Sequence, residues 1–513
     1  MKSAPQKNQF TTVMLFLCIL AVRLIPAVYN YMTNYQGLFI AGDADALLYL
    51  RGAREILASG SNQFNFFPPL NFLLIAFFLY AGHGHVIVPM IAVAVVGWVT
   101  VIGVYLIAKD LFNKRTALIA ALITGLYPNF IFYGLSFYAE TLAIFFIVWA
   151  FFLLIRFFRS GTIAALVAAG VLWGLASLSR GGLNFFSLFI AGVISLNPVK
   201  AGNRFSIKPA AVFLLAMVLT VTIFSSVIPE QLGSTSLGSK SGIGSAIHGA
   251  NRLIVCCPDY GNVRGIVFYL INERQEAWPA GSQLEMRDLI KLPSRQMYAE
   301  LFKFIAEGPF IYIKNSLIKL SNFWSPNQYV INYIKVRCGP GNNPLADAGC
   351  FIIAVLYVGV VCGGLLGVAS SRDPLRPLFF SFVVFYCLLI FVTVGNSKLR
   401  LPLMPFFIIY CAHVMASWGD HFRKRVLSQR WILLVMVVFW GNSIYKYQEI
   451  RLSPREVRVQ AVELCSQLGF PKTALYLIEH NKKKFAYSAI DQERLSRAAA
   501  AAQKKLSEAP DAP

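Results

Sequence analysis

Charge is what this chain has least of. Asp, Glu, Lys and Arg make up 14% of its 513 residues, against 57% apolar residues. Soluble globular domains carry about a quarter, so a water-soluble enzyme or binding module is excluded for most of the chain. Apolar runs of about 17–20 residues recur instead, the length of membrane-spanning helices. Ionisable side chains are nearly absent inside those runs, Arg23 being the exception. A transporter places such groups, and broken helices, at mid-membrane depth. Their scarcity sets transport or flipping of lipid-linked saccharides behind as the alternative reading.

Acids are the scarcer sign, with 24 Asp and Glu against 46 Lys and Arg and a net charge of +22. In a soluble protein that excess points to nucleic acid. Here the basic residues sit mostly in short loops between spans, where they set topology and meet anionic headgroups, so no nucleic-acid partner is expected. The nine cysteines show no metal-ligand spacing. Cys338 and Cys350 flank a Gly/Asn/Pro loop and could pair in an oxidising compartment. Lys2 and Lys7 precede an apolar run with no clear small-residue cleavage site after it, which reads as a retained first helix.

One polar break stands out, Gly42-Asp43-Ala44-Asp45-Ala46-Leu47-Leu48-Tyr49, with two carboxylates just past the first span. A cytosolic N-terminus puts the loop 30–85 on the exoplasmic side. Within it, 47–58 reads as a short helix and 66–80 as an apolar segment opening on Pro68-Pro69. If 66–80 crossed, Lys109, Lys114 and Arg115 would fall outside, so it is read as juxtamembrane or re-entrant. The remaining spans alternate near 10–29, 86–108, 116–132, 141–155, 162–178, 183–196, 210–228, 350–368, 378–394, from 401, and 431–444.

The predicted fold is an all-α polytopic membrane protein, a bundle of about 11 transmembrane helices with juxtamembrane helices in the first exoplasmic loop. Its divisions are an N-terminal transmembrane module (1–228), a small soluble exoplasmic subdomain (229–349), C-terminal spans (350–445) and a soluble helical tail (446–513).

This topology gathers Asp43, Asp45 and Glu140, the cations Arg180, Lys398 and Arg400, and Tyr49, Tyr127 and Tyr133 at one membrane face. A carboxylate can take the proton of an acceptor hydroxyl. Guanidinium and ammonium groups can hold a phosphate leaving group. A membrane enzyme of this kind suits a lipid-phosphate donor. The duller readings are that Asp43 or Asp45 caps the helix at Ala46, that Glu140 answers a helix's positive end, and that the cations anchor headgroups. Asp43 with Glu140 could hold a divalent cation through oxygen ligands.

Several strings carry a family likeness. Gly42-Asp43 with Asp45-Ala46-x-x-Tyr49 resembles the first-loop motif of the GT-C integral-membrane glycosyltransferases. The likeness is to the family 39 type, which includes protein mannosyltransferases and aminoarabinose transferase. Pro68-Pro69-Leu70, Leu126-Tyr127-Pro128, Tyr138-Ala139-Glu140-Thr141, Gly174-Leu175-Ala176-x-Leu178-x-Arg180, Glu285-x-Arg287-Asp288, Trp324-Ser325-Pro326 and Lys398-Leu399-Arg400-Leu401-Pro402 continue it in the same order. The closing Arg/Pro string is inexact, and Asn71 stands where some relatives carry Lys. The resemblance implies a GT-C-like bundle in a bacterial inner membrane. It implies transfer of a sugar from a polyprenyl-phosphate donor to an exoplasmic glycan, lipid or protein acceptor. Asp45, or else Asp43, is the implied base, with Arg180, Lys398, Arg400, Glu140 and Tyr49 about the substrate.

Overall fold

Apolar segments leave their backbone groups no water to bond in a bilayer, so they fold as helices. Helix is the only regular structure among the described residues. The structure, a computed structural model, describes residues 4–34, 44–63, 67–196, 205–229, 309–328, 343–371, 376–392, 397–417, 430–451 and 489–508, with isolated residues besides. Most of the expected subdomain at 229–349 lies outside these residues. So do Asp43, Cys338, the 285–288 string and the Asp45 side chain.

The chain begins with α1 (Ala4–Asn34), α2 (Ala44–Ser59) and α3 (Leu70–Ala81). Then come α4 (Ile87–Leu111), α5 (Lys114–Leu126), α6 (Pro128–Gly134), α7 (Ala139–Ser160) and α8 (Ile163–Ser179). A 3-10 turn (Gly181–Phe185) leads into α9 (Phe186–Leu196), followed by α10 (Ile207–Val227). Further on lie α11 (Pro309–Phe323), α12 (Pro344–Ser370), α13 (Arg376–Val392), a second 3-10 segment (Ser397–Leu403), α14 (Met404–Ser417), α15 (Arg430–Arg451) and α16 (Ala489–Glu508).

Each of the eleven expected spans falls on a helix, but length and apolarity carry fewer. Among the described residues six segments are long and apolar enough to cross: those of α1, α4, α7, α10, α12 and Ser397–Ser417. The pair α5 and α6, bent by 55°, makes a seventh. α8, the Gly181–Leu196 segment and α13 are shorter apolar helices. α3 has 12 residues, about 18 Å at the α-helical rise, well under a hydrocarbon core of about 30 Å. That length suits the juxtamembrane reading of 66–80.

The bend between α5 and α6 has a definite cause. Pro128 has no N–H, so the Thr124 carbonyl loses its helical partner. Arg23 of α1, 2% exposed, supplies one: its Nη2 donates to Thr124 O at 3.3 Å and its Nη1 to Phe130 O at 3.2 Å. Gly97 makes the room, because a Cβ there would stand 2.6 Å from the Arg23 Nη1. The charge in the first span is therefore turned into the bundle. It closes a broken helix.

Small residues set the closest helix approaches, as expected where lipid removes the hydrophobic incentive to associate. A Cβ at Gly367 of α12 would lie 2.2 Å from Tyr410 O of α14, and one at Gly364 2.6 Å from the Phe407 ring. Around the centre, Trp173, Phe186, Phe382, Phe151 and Phe406 interlock with ring centroids 4.3–6.3 Å apart. At the end of the bundle opposite Glu140, the Arg156 Nε meets Asp110 at 3.2 Å. In the tail, Arg494 of α16 grips Glu463 through two nitrogens at 2.7 and 2.6 Å, beside buried Val459, Val462, Leu495 and Ala498.

Candidate active site

Glu140 stands in the first turn of α7, where the positive end of the helix favours an acid. The turn before it is tied at several points. Asn71 of α3 donates its Nδ2 to Phe137 O at 2.8 Å, and Thr141 donates its hydroxyl to Tyr133 O at 2.9 Å. Asn71, which takes the place of a lysine in some relatives, thus holds the backbone that presents Glu140.

Arg180 follows the last residue of α8 and its N–H still bonds Ala176 O at 2.9 Å. The next turn is pinned by Trp173, whose Nε1 donates to Leu183 O at 3.2 Å. α7 starts and α8 ends at the same face of the bundle, and there the Arg180 Nη1 donates to the Glu140 Oε1 at 2.6 Å. Only 6% of the Glu140 side chain and 20% of the Arg180 side chain remain exposed. Burial works against the guanidinium charge, but the facing carboxylate outweighs it and holds Arg180 above its ordinary pKa.

Two tyrosines complete this face. Tyr386 of α13 and Tyr49 of α2 both lie within electrostatic reach of Arg180. Tyr49 belongs to the buried stripe Ala46, Tyr49, Leu50 and Ala53 of α2, at the spacing of a helix face. Its ring packs on Phe72 of α3 at 4.7 Å and on Phe67 at 5.5 Å. Asp45 is the second residue of α2, one turn before Tyr49.

Arg400 is more deeply buried than Arg180. It is 2% exposed and points inward: its Nη1 donates to Phe323 O, and its guanidinium lies 3.9 Å over the Tyr357 ring. Lys398, in the same 3-10 segment, is half-buried. Tyr127 lies within reach of Arg400 rather than of Glu140, while the Tyr133 ring packs on Tyr138 at 4.9 Å. Sequence reasoning missed Tyr386, Tyr357, Asn129 and Gln328. An aromatic or amide in an apolar run carries no motif, and only the packing shows it beside a charge.

Among the described residues no three His, Cys, Asp or Glu side chains gather as a metal group. Glu140 has one oxygen committed to Arg180, and Asp43, its expected co-ligand, lies outside the described residues. The cation expected there therefore has no described donor set to hold it.

Residues 67–229 match the family model for dolichyl-phosphate-mannose-protein mannosyltransferase. No curated protein matches the sequence. Solved structures similar in outline include the Archaeoglobus fulgidus oligosaccharyltransferase AglB in complex with an inhibitory peptide and a dolichol-phosphate. It is 15% identical, at a TM-score of 0.42, over 95% of this chain and 63% of that one. ArnT from Cupriavidus metallidurans bound to undecaprenyl phosphate is 12% identical, at a TM-score of 0.40, over 97% of this chain and 78% of that one. The Archaeoglobus enzyme with Zn and sulfate is 14% identical, at 0.35, over 95% and 61%. This chain thus spans under two thirds of the AglB length. The family match covers residues 67–229, about a third of the chain, and takes in the strings from Pro68 to Arg180; the strings at 42–49, 285–288, 324–326 and 398–402 lie outside it.

Proposed function

We propose that the protein is an integral-membrane glycosyltransferase that moves a sugar from a polyprenyl-phosphate donor to an acceptor at the exoplasmic face. The observation that carries this reading is the buried Glu140–Arg180 pair, 2.6 Å apart, with Tyr49 of α2 beside it. A cation held by one carboxylate at the end of a membrane helix is suited to a phosphate that gains charge as it leaves. In the reaction, Asp45 takes the proton of the acceptor hydroxyl. The acceptor oxygen bonds to the anomeric carbon as the bond from that carbon to the phosphate oxygen breaks. The electron pair goes to the phosphate, and polyprenyl phosphate departs against Arg180. Lys398, in the segment that leads into α14, is the further cation for this group, and Asp43 is the alternative base. Glu140 holds Arg180 in place, so the metal role first considered for it is not required by this scheme.

The test is donor consumption. Full-length protein in proteoliposomes, given a polyprenyl-phosphate hexose and a crude envelope acceptor, is expected to release polyprenyl phosphate. Asp45→Asn is expected to cut release by at least about 100-fold, the usual scale of a general base, with the melting temperature unchanged. Retained activity in Asp45→Asn and Asp43→Asn alike would overturn the reading.

A further inference from the structure

We propose that Tyr127, Asn129, Gln328 and Arg400 form a subsite for the glycosyl group of the donor, beside the phosphate position at Arg180. The inference rests on the donor class proposed above. All four residues are more than nine-tenths buried; Asn129 Oδ1 and Arg400 Nη2 have no partner, and the Tyr127 hydroxyl faces the Asn129 and Gln328 amides without a well-formed hydrogen bond to either. Buried polar atoms are nearly always bonded, so this density of unmet atoms around one guanidinium marks a site built for a polar occupant.

The residues are demonstrably neighbours. The Asn129 Nδ2 donates to the Gln328 Oε1. Arg400, Asn129 and Gln328 all lie within reach of the Tyr127 hydroxyl. The cluster draws on three distant segments: the bend and first turn of α6, the turn after α11, and the 3-10 segment before α14. A run of neighbours leads from it to the phosphate position. Arg400 holds Phe323 O, the Phe323 ring stacks at 6.4 Å and 16° on Tyr386, and Tyr386 reaches Arg180 and Glu140.

The chemistry selects the occupant. One Asn–Gln amide bond leaves one donor and one acceptor unmet, and reversing both amides leaves the same two kinds. Arg400 adds a donor and Tyr127 can do either. A phosphate only accepts, so the open amide oxygen would face it unfavourably. Ring hydroxyls donate and accept together, and they match this mixed set. The bend that Arg23 and Pro128 impose is what brings Asn129 into it.

Full-length protein in lipid nanodiscs is titrated with undecaprenyl phosphate, and with the same lipid carrying a single hexose, pentose or aminopentose. The wild type is expected to bind at least one glycosylated lipid about tenfold tighter than the plain one, the value of one well-made hydrogen bond. Asn129→Leu and Gln328→Leu are expected to erase that preference and leave plain-lipid binding within about twofold, whereas Arg180→Met weakens both lipids alike. Hydrogen exchange on the wild type gives a readout free of variants: 127–129 and 326–328 gain protection with the glycosylated lipid only. A preference that survives both leucine substitutions, or a wild type that ignores the sugar because water alone fills the cluster, would overturn the subsite. Failure to bind even plain undecaprenyl phosphate would overturn the donor reading beneath it as well.

Discussion

At the scale of single residues, the interior of this protein makes charge expensive, and each buried ion shows how that cost is met. Glu140 and Arg180 meet it in each other. Removing one member of a buried pair strands the other, at about 3–5 kcal/mol. Glu140→Leu and Arg180→Met should each lower the melting temperature more than the double replacement does, and a double-mutant cycle in detergent measures that coupling. Lys319 of α11 is fully buried, its ammonium 5.5 Å over the Tyr312 ring. Burial lowers its pKa from 10.5 to about 7. The sign follows from linkage: between pH 7 and 10.5 the unfolded chain holds the proton and the folded one does not, so stability rises with pH across that window. Below about pH 7 both states are protonated and the full cost of burying the charge is present. Lys319→Met should flatten the rise, as followed by thermal unfolding at pH 7, 8.5 and 10.

At the scale of elements, two devices shape the bundle, and each makes a separable prediction. The first is the α5–α6 bend. Arg23→Met leaves the Thr124 carbonyl unmet, at about 1–3 kcal/mol. Pro128→Ala restores an N–H that can serve Thr124. Arg23→Met should therefore destabilise the Pro128→Ala background less than the wild type, and equal losses would contradict this account of the bend. The second device is the α12–α14 contact. Gly367→Ala should destabilise markedly, because its new methyl meets the Tyr410 carbonyl, whereas Gly359→Ala meets nothing within 4 Å and should be neutral. Comparing the two melting curves checks it. The elements themselves were largely legible beforehand, since apolar length and the positive-inside pattern depend on composition alone. The break at Pro128 is missed by that pattern: 116–132 reads as one span, although Pro128 stands inside it. Nothing local to Arg23 says that it will reach carbonyls about a hundred positions away. The count of eleven is not reached by length and apolarity among the described residues: α8, the Gly181–Leu196 segment and α13 are shorter apolar helices, and α15 is not among the candidate spans.

At the scale of the whole molecule, one end of the bundle collects the start of α7, the end of α8, the first-loop helix α2 and the 3-10 segment before α14. The order of spans read from the sequence placed Glu140 and Arg180 at one face, and the fold joins them. The same reasoning grouped Arg400 with Arg180 as phosphate contacts. It could not separate them, because burial and direction are decided by Tyr357 and Phe323, which carry no sequence signature. The reaction proposed for this end is transfer of sugar from a lipid phosphate with a first-loop carboxylate as base. Its most direct test is the release of polyprenyl phosphate from a polyprenyl-phosphate sugar by reconstituted wild-type and Asp45→Asn protein, followed by chromatography of the lipid. The expected result is acceptor-dependent release by the wild type and a loss of at least about 100-fold in the folded Asp45→Asn protein. Release at the wild-type rate from Asp45→Asn and Asp43→Asn, or none from the wild type with any donor sugar, would contradict it.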